Sequence, residues 1–125
     1  MTTWTRTELD ALGSTDEMTI STRRPDGSLR PAVPIWVVRV EDDLYVRSYR
    51  GRDGSWFQRA AAQGTAHVQA AGVDRDVTVA GPGASAREPV DRAYRTKYAR
   101  YGDSYLRPMV ADPAVDTTLR LNPSD

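Results

Sequence analysis

Short runs of alternating hydrophobic and polar residues recur along the chain, which is the pattern of half-buried β-strands. Met18, Ile20 and Thr22 alternate with polar neighbours. The sequence Pro-Asp-Gly at 25–27 then predicts a turn, because proline presets φ and glycine accepts a positive φ. Four later segments have the same strand character: 44–49, 65–71, 75–80 and 117–121. Together with the segment 29–40, they make six predicted strands.

The segment 29–40 predicts a strand with two different halves. Pro31 and Pro34 cannot donate hydrogen bonds to a neighbouring strand, so the first half is expected at a sheet edge or around a bend. The sequence Ile-Trp-Val-Val at 35–38 is apolar on both faces. We therefore expect the second half to be covered on both sides.

Three segments predict helices. The first, over 7–12, ends at Gly13. The second, over 55–63, ends at Gly64, where a left-handed residue is favoured, and Ser55 with Gln58 predicts a capping box at its start. The third covers Glu88–Tyr101 and has proline in its first turn. The segment 103–113 is predicted to be irregular.

This order of elements predicts one domain over residues 1–125 with an antiparallel, barrel-like α+β fold that is mainly β. A parallel Rossmann-type sheet is not expected, because the first three strands follow one another without crossover helices. The length of 125 residues is ordinary for one domain.

Composition excludes several classes of function. Lysine plus arginine and aspartate plus glutamate both number 17, and a chain without surplus positive charge is not expected to bind nucleic acid. The absence of cysteine excludes disulfides and thiolate chemistry. No apolar run approaches the ~20 residues needed to span a bilayer, and no signal-peptide core is visible. A cytoplasmic protein that does not enter membranes is the expectation.

Residues for acid–base or metal chemistry are sparse. His67 is the only histidine and lies in the middle of a predicted strand. An ordinary strand histidine is the favoured interpretation, since no nucleophile elbow accompanies it. The aspartates cluster at predicted turns, where that residue is common for backbone reasons. Neither a catalytic triad nor a metal site is predicted.

The segment 44–59 holds the main candidate site. It is a predicted strand followed by a glycine-punctuated loop and a helix, so the helix N-terminus should present free N–H groups beside Ser48, Arg50 and Arg52. Such a terminus is a ready anion site, and phosphate is the expected anion. A surface loop with solvated arginines is the alternative.

A stripe of aromatic residues follows one face of the third helix. Val90, Tyr94, Tyr98 and Tyr101 recur at helical spacing, a pattern more typical of a core than of a pocket. Tyr105 extends the stripe beyond the helix. Phenols beside a planar ligand would supply both stacking area and hydrogen bonds, so a ligand-facing role stays open.

The segment 20–30 followed by Pro34-Ile35 resembles the opening of the split-barrel deazaflavin-dependent nitroreductases. The later run 45–51, Trp56-Phe57 and the hairpin 65–79 are similar to the corresponding later elements of those proteins. The wider group is the pyridoxamine-phosphate-oxidase-like flavin-binding split barrel, and the match is closest to a short branch of it, domain of unknown function 2255. The resemblance implies a six-stranded antiparallel split β-barrel with two or three flanking helices.

The same resemblance implies a flavin-type cofactor, FMN or the deazaflavin F420, lying in a groove. Carried over by position, Arg30, Ser48 and Arg50 would contact its phosphate. Pro34, Ile35 and Trp36 would run along the ring, and Trp56 would close the helix side. Tyr94, Tyr98 and Tyr105 are the candidates for contacts with a small-molecule substrate.

The function expected from the resemblance is an oxidoreductase that transfers hydride to a small organic substrate, working as a homodimer. Two departures from the family pattern leave alternatives open. Asp26 stands in the first turn, where the relatives carry a basic residue and serine, and the proline after Arg30 comes one residue later. A cofactor-free barrel that binds a small ligand or catalyses a biosynthetic step in the same groove is the second possibility. A binding module without turnover is the third.

Overall fold

The computed structural model describes residues 3–124. Within these residues the chain forms seven strands and five helices. In order they are α1 (Arg6–Ser14), β1 (Met18–Ser21), β2 (Val33–Ile35), β3 (Val37–Val40), β4 (Asp43–Val46), α2 (Ser55–Gln63), β5 (Thr65–Ala70), β6 (Val73–Ala80), α3 (Arg87–Tyr98), α4 (Asp103–Met109), α5 (Asp112–Val115) and β7 (Leu119–Pro123). Short 3₁₀ turns at Gly51–Asp53 and Ala99–Tyr101 precede α2 and α4.

The strands form one sheet in the order β2-β1-β5-β6-β7-β4-β3, and every neighbouring pair is antiparallel. Its two edge strands, β2 and β3, are separated only by Trp36. The sheet must therefore curl until its edges nearly meet, which gives an almost closed barrel. The predicted α+β antiparallel barrel is confirmed.

The strand count needs a correction, because the predicted strand 29–40 is two strands. Its first part begins only at Val33 and pairs with β1 alone, and the chain changes edge at Trp36. Pro34 lies in that edge strand opposite Thr19, so the expectation of an edge or bend is confirmed. Proline has no N–H to donate to a second neighbour, so its place in an edge strand leaves no ladder hydrogen bond unmade.

Two hydrophobic cores lie on the two faces of the sheet. Inward side chains such as Ile20, Val37, Leu44 and Leu121 fill the barrel with α1 and α2. Outward side chains of β3 and β4 are covered by α3 and α4, and this second core contains Val38, Tyr45, Val90, Tyr94, Tyr98, Leu106 and Met109. Val37 and Val38 are thus buried on opposite faces within one chain, as predicted for this segment, whereas Trp36 is only partly buried.

The structure differs from the predicted elements at three points, two in helices and one in a strand. α2 begins at Ser55, but its N-cap is Gly54 and no side chain caps it, so the predicted capping box is wrong. The segment 103–113 contains α4 and the start of α5 and is not irregular, because Leu106 and Met109 pack into the second core. β7 begins two residues later than predicted, since the hydroxyl of Thr117 donates to Ala114 O and that of Thr118 to Val115 O.

Within residues 3–124, no helix is both long and apolar enough to cross a membrane.

Candidate functional site

A cavity of about 640 Å³ opens where the β2–β3 connection, the end of β4, the start of α2 and α4 converge. Both polar and apolar side chains line it. They are Glu17, Val33, Pro34, Ile35, Trp36, Arg47, Ser48, Tyr49, Arg50, Gly54, Ser55, Trp56, Tyr105 and Met109.

The wall formed by residues 47–54 has a defined backbone. The Ser48 N–H donates to Thr117 Oγ1 at 2.8 Å, and the Gly51 N–H donates to Ser48 O at 2.9 Å. Gly51 has a φ of 65° and lies against Pro113, so a side chain there would be both strained and crowded. These contacts hold Ser48 at the cavity while the chain turns into α2.

The N-terminus of α2 faces the cavity without a side-chain cap. Gly54 is the N-cap residue, and Gln58 donates instead to Arg52 O at 2.8 Å. A Cβ placed on Gly54 would lie 2.3 Å from Ser48 Oγ, so the hydroxyl occupies the space that a larger N-cap residue would need. The first-turn N–H groups and the Ser48 hydroxyl therefore lie together, in the arrangement that binds anions at helix N-termini.

The arginines of this segment have different environments. Arg50 is exposed and lines the cavity, whereas Arg52 is exposed and does not. Arg47 is buried and also lines the cavity. Glu17 is the carboxylate among the lining side chains.

The opposite wall is aromatic and apolar. Trp36 stacks on Tyr98 with ring centroids 3.9 Å apart and planes 1° from parallel. Tyr98 is itself fixed, since its hydroxyl accepts from the Val37 N–H at 3.2 Å and donates to Asp16 O at 2.7 Å. Trp56 closes the α2 side and makes an edge contact with Phe57. A flat ring of a ligand would meet side chains that are already ordered.

Seven of the ten residues predicted for the site meet at this cavity: Pro34, Ile35, Trp36, Ser48, Arg50, Trp56 and Tyr105. Arg30 is not among the residues that line it. The first turn uses its polar groups internally, as Asp26 accepts from both the N–H and the hydroxyl of Ser28. These hydrogen bonds hold the pKa of Asp26 below its usual value.

The assignment of Tyr94 and Tyr98 to the substrate side is corrected by their position. Both side chains are 0 % exposed in the second core, behind the cavity wall. Burial raises the pKa of both phenols, because it disfavours the phenolate. Only Tyr105 of the three reaches the cavity, and its side chain is 60 % exposed.

His67 lies elsewhere, on the outer face of the β5–β6 hairpin. Its ring nitrogens are 2.7 Å from Asp76 Oδ1 and 2.5 Å from Asp74 Oδ1. Hydrogen bonds from His67 and Arg23 lower the pKa of Asp76. The histidine is thus a satisfied strand residue, as predicted. Across residues 3–124, no group of three histidine or acidic side chains is placed to hold a metal ion.

Seven residues that line the cavity were not among the predicted site residues: Glu17, Val33, Arg47, Tyr49, Gly54, Ser55 and Met109. Strand alternation offered a signal for Arg47, because Val46 points into the barrel and the next side chain must point outward. Met109 offered none, since it reaches the cavity only through the packing of α4.

One protein family matches most of the chain. The family described as "Uncharacterized protein conserved in bacteria (DUF2255)" matches residues 8–121. The chain belongs to this family. No curated protein matches the chain in sequence.

Solved structures show the same fold as this DUF2255 protein at low sequence identity. The haem storage protein HutZ from Vibrio cholerae is 8 % identical, with a TM-score of 0.60 over 88 % of this chain and 82 % of that one. An FAD-binding protein from Mesorhizobium loti is 16 % identical, with a TM-score of 0.58 over 98 % and 92 %. An F420 reductase is 12 % identical, with a TM-score of 0.54 over 93 % and 92 %.

Proposed function

We propose that this protein binds a flavin-type cofactor, FMN or F420, in the cavity and transfers hydride between it and a small organic substrate. The observation that carries the proposal is the uncapped N-terminus of α2, which opens onto the same cavity as Ser48 and Arg50. Backbone N–H groups, a hydroxyl and a guanidinium are three anion-binding groups of complementary kinds. They would hold the cofactor phosphate.

The residues present fit such a cofactor. Pro34, Ile35 and Trp36 form an apolar wall, and the stack of Trp36 on Tyr98 keeps that wall in place. The bound cofactor supplies the hydride chemistry, while the chain binds, orients and excludes water. Tyr105 lies on the exposed side of the cavity and is the remaining candidate for contact with substrate.

The fold neighbours support a cofactor of this class by what their names state, namely FAD binding and F420 reduction. Haem, named for HutZ, is less well supported by the side chains of the cavity. His67 is the only histidine of the chain and lies on the outer face of the hairpin, so a haem in the cavity would have no imidazole ligand.

A second candidate function is suggested by the first turn. Arg30 was predicted to contact phosphate but is not among the lining residues, and Asp26 is engaged within its own turn. The phosphate would therefore have fewer contacts than the resemblance implies. This observation favours a cofactor-free barrel that binds a smaller ligand, as the alternative.

We also propose a homodimer. Val37 and Val38 are buried within the chain and offer no surface to a partner. The rim of the cavity instead carries exposed hydrophobic side chains: Val33 is 38 % exposed, Tyr49 56 % and Tyr105 60 %. A second copy of the chain would cover this rim and narrow the opening.

The test is titration of the purified protein with FMN and with F420. Removing the Arg50 guanidinium in Arg50→Ala should weaken binding about ten- to a hundredfold, the usual value of a charge-assisted hydrogen bond. Arg52→Ala is the matched control and should bind as tightly as wild type, because Arg52 is equally exposed but lies off the cavity.

Equal affinities of wild type and Arg50→Ala would refute the proposed phosphate site. Failure of both cofactors to bind to wild type would favour the cofactor-free alternative.

A further inference from the structure

Arg47 is the largest fully buried side chain of the described residues and is only 1 % exposed. It comes directly after β4, on the outward face beside the second core. Its Cζ atom lies 5.2 Å from the centre of the Tyr94 ring. A buried ion pair is seldom retained for stability alone, so the placement of this guanidinium needs another explanation.

Most of the guanidinium has partners in the chain. Nε donates to Thr118 Oγ1 at 2.9 Å, and Nη1 donates to Met109 O at 2.9 Å. Nη1 also lies 2.6 Å from Asp91 Oδ1, an ion pair that is close but not aligned as a hydrogen bond. Asp91 therefore balances the positive charge of Arg47.

Nη2 is different. It is buried, and within residues 3–124 it has no hydrogen-bond partner. This nitrogen carries two N–H donors, and a buried charged donor without an acceptor is costly. Arg47 lines the cavity together with Met109, the residue whose carbonyl accepts from Nη1. The missing acceptor would therefore belong to a ligand bound in the cavity.

The balance of charge indicates the kind of acceptor. Asp91 already neutralises the positive charge of Arg47, so a second carboxylate or a phosphate would be bound less strongly there than at Arg50. Arg50 is exposed and has no carboxylate partner among the described ion pairs. An uncharged oxygen needs only a donor. The carbonyl oxygens of a flavin-type ring are of this kind.

We propose that Nη2 of Arg47 donates a hydrogen bond to an uncharged carbonyl oxygen of the ring bound in the cavity. The proposal rests on the proposed function and adds a ring contact to it, separate from the phosphate contacts of Ser48 and Arg50. Arg47 would thereby position the ring at the inner end of the cavity.

Riboflavin and FMN share one ring and differ in the phosphate, so they separate ring contacts from phosphate contacts. Arg47→Lys replaces the guanidinium fork by one nitrogen, which Asp91 and the Met109 carbonyl compete to bind. We expect it to weaken both probes by the same factor, about ten- to a hundredfold. The absorption spectrum of the bound flavin should shift as well, because a ring hydrogen bond is lost.

Arg75→Lys is the matched control. Like Arg47, Arg75 pairs with a carboxylate, that of Glu8 at 3.1 Å, and lies near an aromatic ring, that of Trp4. Unlike Arg47, it is only partly buried, and its Nη2 has an acceptor, Ser124 O at 3.0 Å. It does not line the cavity. It should leave both affinities and the spectrum unchanged. Where Arg47→Lys does not fold, the double variant Arg47→Met/Asp91→Leu replaces the ion pair by apolar groups, an exchange that buried pairs often tolerate.

A loss confined to FMN would assign Arg47 to the phosphate and overturn the inference, as would unchanged binding of both probes. Arg50→Ala distinguishes this failure from that of the proposed function, since it should weaken FMN and leave riboflavin unaffected. A wild-type protein that binds neither of these probes nor F420 would overturn both proposals together. If only F420 binds, the same comparison is made with F420 and its phosphate-free chromophore.

Discussion

Gly54 is the residue where the backbone of α2 and the candidate anion site meet most closely. Its φ of −65° and ψ of 125° suit any residue, so alanine would meet no backbone strain. On that ground alone, Gly54→Ala should stabilise the fold by about 0.4–1 kcal/mol, because the unfolded chain loses freedom.

The contact with Ser48 reverses that expectation. The new Cβ would lie 2.3 Å from Ser48 Oγ, far closer than side-chain atoms approach one another. Ser48 is 1 % exposed, and its backbone is held by the hydrogen bond from its N–H to Thr117, so only rotation of the Ser48 side chain could relieve the contact. Overpacking of this kind costs about 1–3 kcal/mol. The net loss of unfolding free energy should therefore be roughly 1–2 kcal/mol.

Removal of the hydroxyl should rescue the variant. In Ser48→Ala/Gly54→Ala the nearest atoms to the new Cβ would be Gly51 O and the Cβ of residue 48, both at 3.5 Å, an ordinary contact distance. The double variant should be at least as stable as Ser48→Ala, with a coupling free energy of about 1–3 kcal/mol between the two positions. Urea unfolding of wild type, both single variants and the double variant measures this coupling.

Gly81→Ala is the matched control, because a Cβ at Gly81 would meet nothing within 4 Å. It should be neutral or slightly stabilising. If Gly54→Ala is as stable as wild type, or if Ser48→Ala fails to restore stability, then Ser48 Oγ does not lie against the start of α2. The geometry of the candidate anion site would then be wrong.

Two further predictions concern pH and assembly. Burial lowers the pKa of the Lys97 ammonium from its usual 10.5 to about 8. Between these values the unfolded chain binds the proton that the folded chain has lost, so stability should rise with pH. The rise should be confined to pH 8–10, since the raised pKa values of Tyr94 and Tyr98 reverse the trend above about pH 10. The rise in stability should amount to about 1–2 kcal/mol for this partly buried group. If the same rise persists in Lys97→Met, then Lys97 is not its cause. Light scattering should give twice the chain mass of 13.8 kDa for the proposed homodimer, whereas the mass of one chain would argue against it.

Local patterns in the sequence determined much of the architecture. Strand alternation and turn residues were enough to place β1, β5 and β6, and Gly64 marked the end of α2, because these signals act between near neighbours in the chain. The resemblance to split barrels added the barrel architecture. It also implied ten site residues, seven of which line one cavity in the structure.

Tertiary packing decided what local patterns could not. The chain breaks at Trp36 because the barrel must close there, and α4 forms because Leu106 and Met109 have a core to cover. The stripe of Tyr94 and Tyr98 fits a core or a pocket equally well in sequence, and only the covering of β3 and β4 by α3 assigns it to the core. Arg47 lies in the predicted strand 44–49, where alternation gives the direction of its side chain but not its burial. That burial depends on Asp91, Met109 and Thr118, which are 44, 62 and 71 residues further along the chain. Contacts over such separations leave no trace in local periodicity, so the structure alone could identify them.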